Sequence, residues 1–199
     1  DGIWGRRGAT PFVLAEPYLG RPLTERGIDA LILRYLAAFG PASPRDMQAW
    51  SGMRRLRDAF EPLRPRLRTF RGESGAELFD LPDAPRPGPD AEAPVRFLPT
   101  FDNVLFGHAD RTRIVTAAQR PYLVADAALI VDGMVGGLWK IKAGVLTIRL
   151  FGPLSPDQES AVQAEAAALL SFAAGNAPVH AVEFAPLDKL VSGRDDPAY

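Results

Sequence analysis

The densest run of chemically capable side chains lies between Phe101 and Arg113 and holds Asp102, Asn103, His108, Asp110, Arg111 and Arg113. A histidine two residues before an aspartate could exchange a proton or share a metal ion. The rest of the chain supports neither use. The other histidine, His180, is far away in sequence, and no carboxylate stands at a spacing that would complete a ligand set. There is no Gly-x-Ser-x-Gly elbow for a hydrolytic serine. Cysteine is absent, which removes thiolate ligands, disulfides and a Cys nucleophile. Asp102, His108, Asp110 and Arg111 are therefore read as a hydrogen-bonded turn that organises the second half of the chain, and neither a metal nor a cofactor is expected. A second glycine-bearing stretch, Asp132-Gly133-x-x-Gly136-Gly137-x-Trp139-Lys140, does not fit the dinucleotide fingerprint, which needs strand, Gly-x-Gly-x-x-Gly, then helix. It reads as a hairpin with Gly136 and Gly137 at a bulge or close approach, and with Trp139 in the core.

The arginines carry a different chemistry. From Arg45 to Arg71 there are eight arginines against three acids, a local charge of +5, while Gly72 to Glu92 holds six acids against one arginine, a local charge of −5. These blocks cancel in a formal net charge of −1 but not in space, which points to a polyanionic partner. Arg54, Arg55 and Arg57 stand where guanidinium forks could meet guanine edges or phosphates. Arg68 and Arg71 could reach the adjoining backbone, and Lys140 could touch a phosphate from the second half of the chain. The competing reading is a protein-contact module with solvated arginines.

The elements that would position these arginines follow from the hydrophobic spacing. Ile28, Leu31, Ile32, Tyr35, Leu36 and Phe39 recur at three and four residues, one face of a helix expected over 23–39 with Thr24 as N-cap. Gly40-Pro41 stops it. Ser43-Pro44 opens a short second helix, Ser51-Gly52 turns, and Met53 is expected to begin a third helix carrying Leu56, Phe60 and Leu63. In that helix Arg54 and Arg57 would share one outer face. Alternation over Leu67–Arg71 and Glu77–Leu81 around Gly72–Gly75 predicts a β-hairpin. Three helices with a tight turn and a hairpin make a winged helix-turn-helix, whose third helix enters the major groove.

The expected organisation has four parts. Residues 1–20 are a remnant of a preceding winged-helix unit, since the chain opens on Asp1 and Asp1–Gly5 read like the tail of a wing. Residues 21–81 are the winged-helix domain, and residues 82–94, rich in proline and acids, are a stiff linker. Residues 95–199 form a small antiparallel β-sheet or barrel-like domain with one covering helix from Ser155 to about Ala174. The fold class is thus α+β. An apolar share of 47% and a mean hydropathy of −0.05, with no apolar run long enough to cross a bilayer, predict a cytoplasmic protein with no membrane partner.

Three stretches carry a family resemblance: Arg34-Tyr35-Leu36-Ala37-Ala38-Phe39-Gly40-Pro41-Ala42; Phe97-Leu98-Pro99-x-Phe101-Asp102-Asn103 with His108-Ala109-Asp110-Arg111; and Val131-Asp132-Gly133-x-Val135-x-Gly137-x-Trp139. Together, in this order, they resemble the bacterial AlkZ-type family of winged-helix DNA glycosylases. The resemblance implies tandem winged-helix units and a small β-barrel-like domain around double-stranded DNA, and removal of alkylated or crosslinked bases. It also implies a catalytic Gln-x-Gln motif in an N-terminal winged-helix region. None occurs here: Gln48, Gln119, Gln158 and Gln163 stand alone. The expected function is the DNA-binding portion of such a glycosylase, inactive by itself, with no catalytic residue assigned. A non-enzymatic DNA-binding regulator and a protein-interaction module are the alternatives, and a small-molecule pocket in the second half would favour the regulator.

Overall fold

The computed structural model describes residues 12–23, 27–124, 126–175 and 177–187. Asp1–Gly5 and Thr24, on which two expectations rest, lie outside the described residues. The chain divides into two compact units. One takes the described part of Asp1–Pro44 with Arg54–Ala84, and the other takes Arg45–Met53 with the described part of Pro85–Tyr199.

In the first unit a short helix α1, Ala15–Leu19, buries none of its residues. Helix α2, Ile28–Phe39, buries Ile32, Tyr35 and Leu36, the stripe its spacing predicts. Helix α3, Pro44–Ser51, starts at the expected proline but groups with the second unit. The next helix, α4, is shorter than its apolar spacing suggests: it spans Leu56–Phe60 and continues as 3-10 turns over Glu61–Arg66. Pro62 and Pro65 lack the N–H groups that an α-helical ladder would need there. Strands β1, Arg68–Arg71, and β2, Glu77–Asp80, pair antiparallel with Arg68 opposite Asp80 and Arg71 opposite Glu77. Ala42 adds a bridge to the hairpin by exchanging two backbone hydrogen bonds with Phe79, at 2.9 and 2.8 Å. Phe79 is buried and its ring lies 5.4 Å from that of Phe60, which anchors the hairpin to α4. Residues 82–94 carry no helix or strand.

The second unit is built on a five-stranded sheet in the order β3-β4-β5-β6-β7. Its strands are Arg96–Phe97, Ala127–Val131, Met134–Lys142, Val145–Leu150 and Ala181–Ala185, and helix α5, Asn103–Phe106, precedes β4. The turns joining β4 to β5 and β5 to β6 each place two residues at positive φ, Asp132 and Gly133, then Ala143 and Gly144. Two consecutive left-handed residues match the twist of a two-residue hairpin, as the Asp-Gly pair predicts. The pairing of β4 with β5 slips between Leu129 and Ile130, opposite Gly137 and Val135, so Gly136 is the extra residue of a bulge. A Cβ on Gly137 would stand 2.7 Å from the Arg149 carbonyl oxygen, so the close approach read from its sequence is real.

Two expectations for this unit need correction. The sheet is mixed, because β7 pairs parallel to β6. The connection between them is helix α6, Pro156–Ala173, long enough to carry the chain back to the end of the sheet where β6 began. The sheet is also covered on both faces. Leu129, Val131, Trp139, Leu146 and Ile148 pack with Val162, Ala166 and Leu170 of α6. The alternate residues Ala128, Ile130, Val135 and Leu138 pack with Leu105, Val115 and Leu123 from the segment before β4. That double cover is why Ala128–Val131 is a continuous apolar run rather than an alternating one.

Ser155 caps α6 reciprocally with Gln158, whose backbone N–H donates to Ser155 Oγ at 3.2 Å and whose side-chain carbonyl accepts from the Ser155 N–H at 2.8 Å. Ser155→Ala is expected to cost about 1 kcal/mol of stability in urea unfolding, the usual penalty for an emptied N-cap.

Candidate nucleic-acid interface

The six basic residues singled out by the sequence are all exposed, and five of them belong to the first unit. Their placement differs from the expectation. Arg54 and Arg55 do not lie in a helix: they sit between Gly52, at φ 70°, and Leu56, and Arg55 itself is left-handed at φ 59° just before α4 begins. Helical periodicity therefore does not put Arg54 and Arg57 on one face. Only Arg57 lies in the first turn of α4. On β1, Arg68 and Arg71 project to opposite faces of the hairpin, being an odd number of residues apart. The Arg68 guanidinium rests 5.1 Å from the Phe70 ring. Lys140 is exposed on β5 opposite Thr147, in the other unit.

Arg64, which the sequence reading passed over as a site residue, sets the electrostatics of this region. Its fork makes paired hydrogen bonds to Glu61, at 3.0 and 3.1 Å, and to Glu77, at 2.8 and 2.9 Å. The guanidinium also lies 5.1 Å from the Phe79 ring. Its hydrogen bonds hold the carboxyls of Glu61 and Glu77 below their usual range, and Arg57 lowers both a little further. Arg71, across the strands from Glu77, adds to the effect there. Glu61 and Glu77 are thus paired with a third arginine rather than with Arg57 or Arg71. A bidentate fork cannot be read from spacing when its two partners are three and thirteen residues away.

These depressed carboxyls have a pH consequence. Their contribution is present above the unfolded carboxylate value, about 4.3, and is lost as pH falls below it. Arg64→Met should therefore flatten the acid limb of a stability-against-pH curve below pH about 4 by lowering its neutral region slightly, since both pairs are exposed, while leaving the acid end unchanged.

In the second unit the polar run at 101–113 forms the hydrogen-bonded turn its composition suggests. Asp102 caps α5 by accepting the Val104 N–H at 2.8 Å. Asp110 accepts the Thr112 N–H at 2.9 Å and its hydroxyl at 2.7 Å, which holds the carboxyl low, with smaller help from Arg120 and Arg113. Arg113 donates to His108 Nδ1 at 2.8 Å. Arg111 stacks on Phe106 at 4.3 Å, and burial lowers its pKa. Two partners came from outside the run: Asp46 accepts the Ala109 N–H at 2.9 Å, and the Trp50 indole donates to Asn103 at 3.2 Å. Both come from α3, more than fifty residues upstream, and no local pattern announces them. Among the described residues no group of three His, Asp or Glu is placed to hold a metal ion.

An open groove of about 420 Å³ lies at one end of the sheet, lined by Gln119, Asp132, Met134, Phe151 and Gln158 among others. Its amides are already engaged, Gln119 with the Val135 carbonyl at 2.9 Å and Gln158 with Asp132 at 2.6 Å. It offers little to orient a small-molecule effector. No helix among the described residues is long and apolar enough to cross a membrane.

This α+β architecture is shared with a DNA glycosylase. The structure matches that of Streptomyces sahachiroi DNA glycosylase AlkZ with a TM-score of 0.62 at 24% identity, over 80% of this chain and 45% of that one. The chain thus spans less than half the length of that glycosylase. A family model described as DNA glycosylase AlkZ-like matches residues 1–172, and the chain belongs to that family. Curated protein sequences give no match.

Proposed function

We propose that this chain is the double-stranded-DNA-binding portion of an AlkZ-like repair glycosylase acting on alkylated or crosslinked bases, with the bond-breaking residues outside positions 1–199. In this reading residues 21–81, which carry α2, α4 and the β1–β2 hairpin of the first unit with α3 between them in sequence, are the winged helix-turn-helix region. Residues 82–94 are its linker to the β-rich domain. Arg54, Arg55 and Arg57 are groove or phosphate contacts, and Arg68, Arg71 and Lys140 are backbone contacts.

The observation that carries this reading is electrostatic. Five of the six candidate basic residues are exposed arginines of the first unit, and Glu61 and Glu77 are both engaged by Arg64. Arg57 and Arg71 are therefore left exposed, whereas a self-neutralised surface would pair them with these acids. Family membership supplies the polyanion. The sequence contains no Gln-x-Gln, and hydrolysis of an N-glycosidic bond needs a positioned water and a stabilised cation beside the exposed base. On this proposal the chain alone leaves an alkylated base in place.

The test is binding to a plain fluorescent duplex across a salt series. With four to five phosphates engaged, log K is expected to fall against log salt with a slope of about −4. No binding at low salt would refute the proposal and leave the protein-interaction reading standing. Excision of an alkylated base by the chain alone would show that the catalytic residues are within it.

A further inference from the structure

Phe101 is placed at a double disadvantage. Its ring is 70% exposed, and its backbone is left-handed at φ 61°, a region that bulky L-residues avoid and glycine accepts freely. Nothing about the turn requires a large apolar side chain. The conformation is nevertheless held firmly on its C-terminal side. Asp102 caps α5, Asn103 is tied to Trp50, and Asp46 holds the backbone at Ala109. Strain kept at an exposed aromatic by surroundings that over-determine it is a mark of function rather than of folding.

The neighbours of Phe101 indicate what it meets. The half-buried Phe106 ring lies 6.0 Å away, with the two planes tilted by 39°. The Arg111 guanidinium covers the same Phe106 ring at 4.3 Å, so the aromatic neighbour of Phe101 is itself held by a cation. Arg113 and Arg120 are exposed, and both act on Asp110, whose own carboxylate is taken up by Thr112. One projecting π-face on a segment that also carries Arg111, Arg113 and Arg120 suits a planar base whose flanking phosphates need cations. An apolar protein partner would not call for the arginines, and a phosphate alone would not call for the ring.

We propose that Phe101 is a stacking residue for an unpaired position in duplex DNA, with Phe106 and Arg111 as its rigid support and Arg113 and Arg120 as contacts to the adjoining phosphates. The proposal rests on the DNA-binding reading given above. A ring can enter the stack only where a base has left it or has lost its partner, because unstacking costs least there. Phe101 would then contribute to finding a distorted site, whereas the arginines of the first unit would contribute affinity for any duplex.

The test compares the full chain with Phe101→Gly and Phe101→Trp on two duplexes, one plain and one with a central abasic site. Wild type should prefer the abasic duplex. Phe101→Gly should bind the plain duplex as well as wild type but lose about five-fold or more of that preference, the low end of one base–aromatic stack. Phe101→Trp should keep it. Thermal unfolding separates a structural role: relief of the left-handed strain should leave Phe101→Gly melting no lower than wild type. A wild-type chain without the preference, or a Phe101→Gly chain that retains it, overturns the proposal and leaves plain-duplex binding intact. A wild-type chain that binds neither duplex overturns the DNA-binding reading, and this proposal with it.

Discussion

A chain carrying Arg54→Ala and Arg57→Ala is expected to bind plain duplex about a hundred-fold more weakly than wild type at 0.1 M salt, and to match it near 1 M. The magnitude follows from counterion release. Each phosphate contact contributes roughly 0.9 to the slope of log K against log salt, so losing two contacts should flatten an expected slope of about −4 to about −2. Lines that differ by two units of slope and converge at 1 M stand two decades apart at 0.1 M. Both side chains are exposed, and neither alanine leaves a buried partner unsatisfied, so folding should be unaffected. The pattern of loss also separates the possible roles. Uniform weakening across sequences with a flattened slope assigns the pair to phosphates, whereas an unchanged slope with relaxed sequence preference assigns them to base edges. An unchanged slope and an unchanged affinity together would remove both residues from the interface.

How far the sequence reached depended on whether the information was local. The α2 stripe, the hairpin over 68–80, the Asp132-Gly133 turn and the start of α6 were all readable, because each is fixed by residues within one or two turns of one another. Trp139 was readable as core for the same reason. The boundary of α4 was not. The apolar spacing from Met53 onward is helical, yet Gly52 and Arg55 both take positive φ, and the helix waits until Leu56. That local backbone choice overrides periodicity and removes Arg54 and Arg55 from the helix on which their joint face was drawn. The parallel pairing of β7 and the second cover of the sheet were also hidden, since both depend on contacts between segments far apart in sequence.

The candidate site divides along the same line. Exposed arginines are visible in sequence as charge, and all six basic positions are indeed exposed. What composition hides is the bookkeeping between them and the acids. The basic and acidic blocks read as separate, but Glu77 from the acidic block folds back onto Arg64 of the basic one. Arg64 is thereby withdrawn from the surface charge, and Arg57 and Arg71 are left beside acids whose hydrogen bonds go to Arg64. Arg64→Met, by releasing Glu61 and Glu77, should weaken duplex binding several-fold at low salt although Arg64 itself need touch no phosphate. The difference should shrink as salt screens the two carboxylates. A loss that persists at high salt would mean that Arg64 acts through packing on Phe79.

The largest expected effect on stability belongs to Trp139. Trp139→Ala should cost about 3–5 kcal/mol, the range for truncating a large buried aromatic, out of the roughly 5–15 kcal/mol that holds a typical domain together. Three losses coincide at this position. The indole is 4% exposed within the cluster that joins the sheet to α6, so its removal opens a cavity at the centre of that layer. Its Nε1–H donates to the Leu98 carbonyl at 2.9 Å, just beyond β3, and that acceptor would lose its partner. Its ring meets Phe97 edge-on at 5.7 Å, the contact that seats the two-residue strand β3 against β4 and β5. Trp139→Phe restores most of the volume and the aromatic contact but not the hydrogen bond, so it isolates that bond at about 1–2 kcal/mol. Urea unfolding followed by far-ultraviolet circular dichroism would resolve the two variants. A Phe variant as damaged as the Ala variant would assign the main role to the tie with Leu98. A Phe variant indistinguishable from wild type would place the whole effect in packing. In either case β3, paired through only two residues, should be the first strand of this sheet to lose hydrogen-exchange protection, because the Trp139 contacts that seat it are the ones removed.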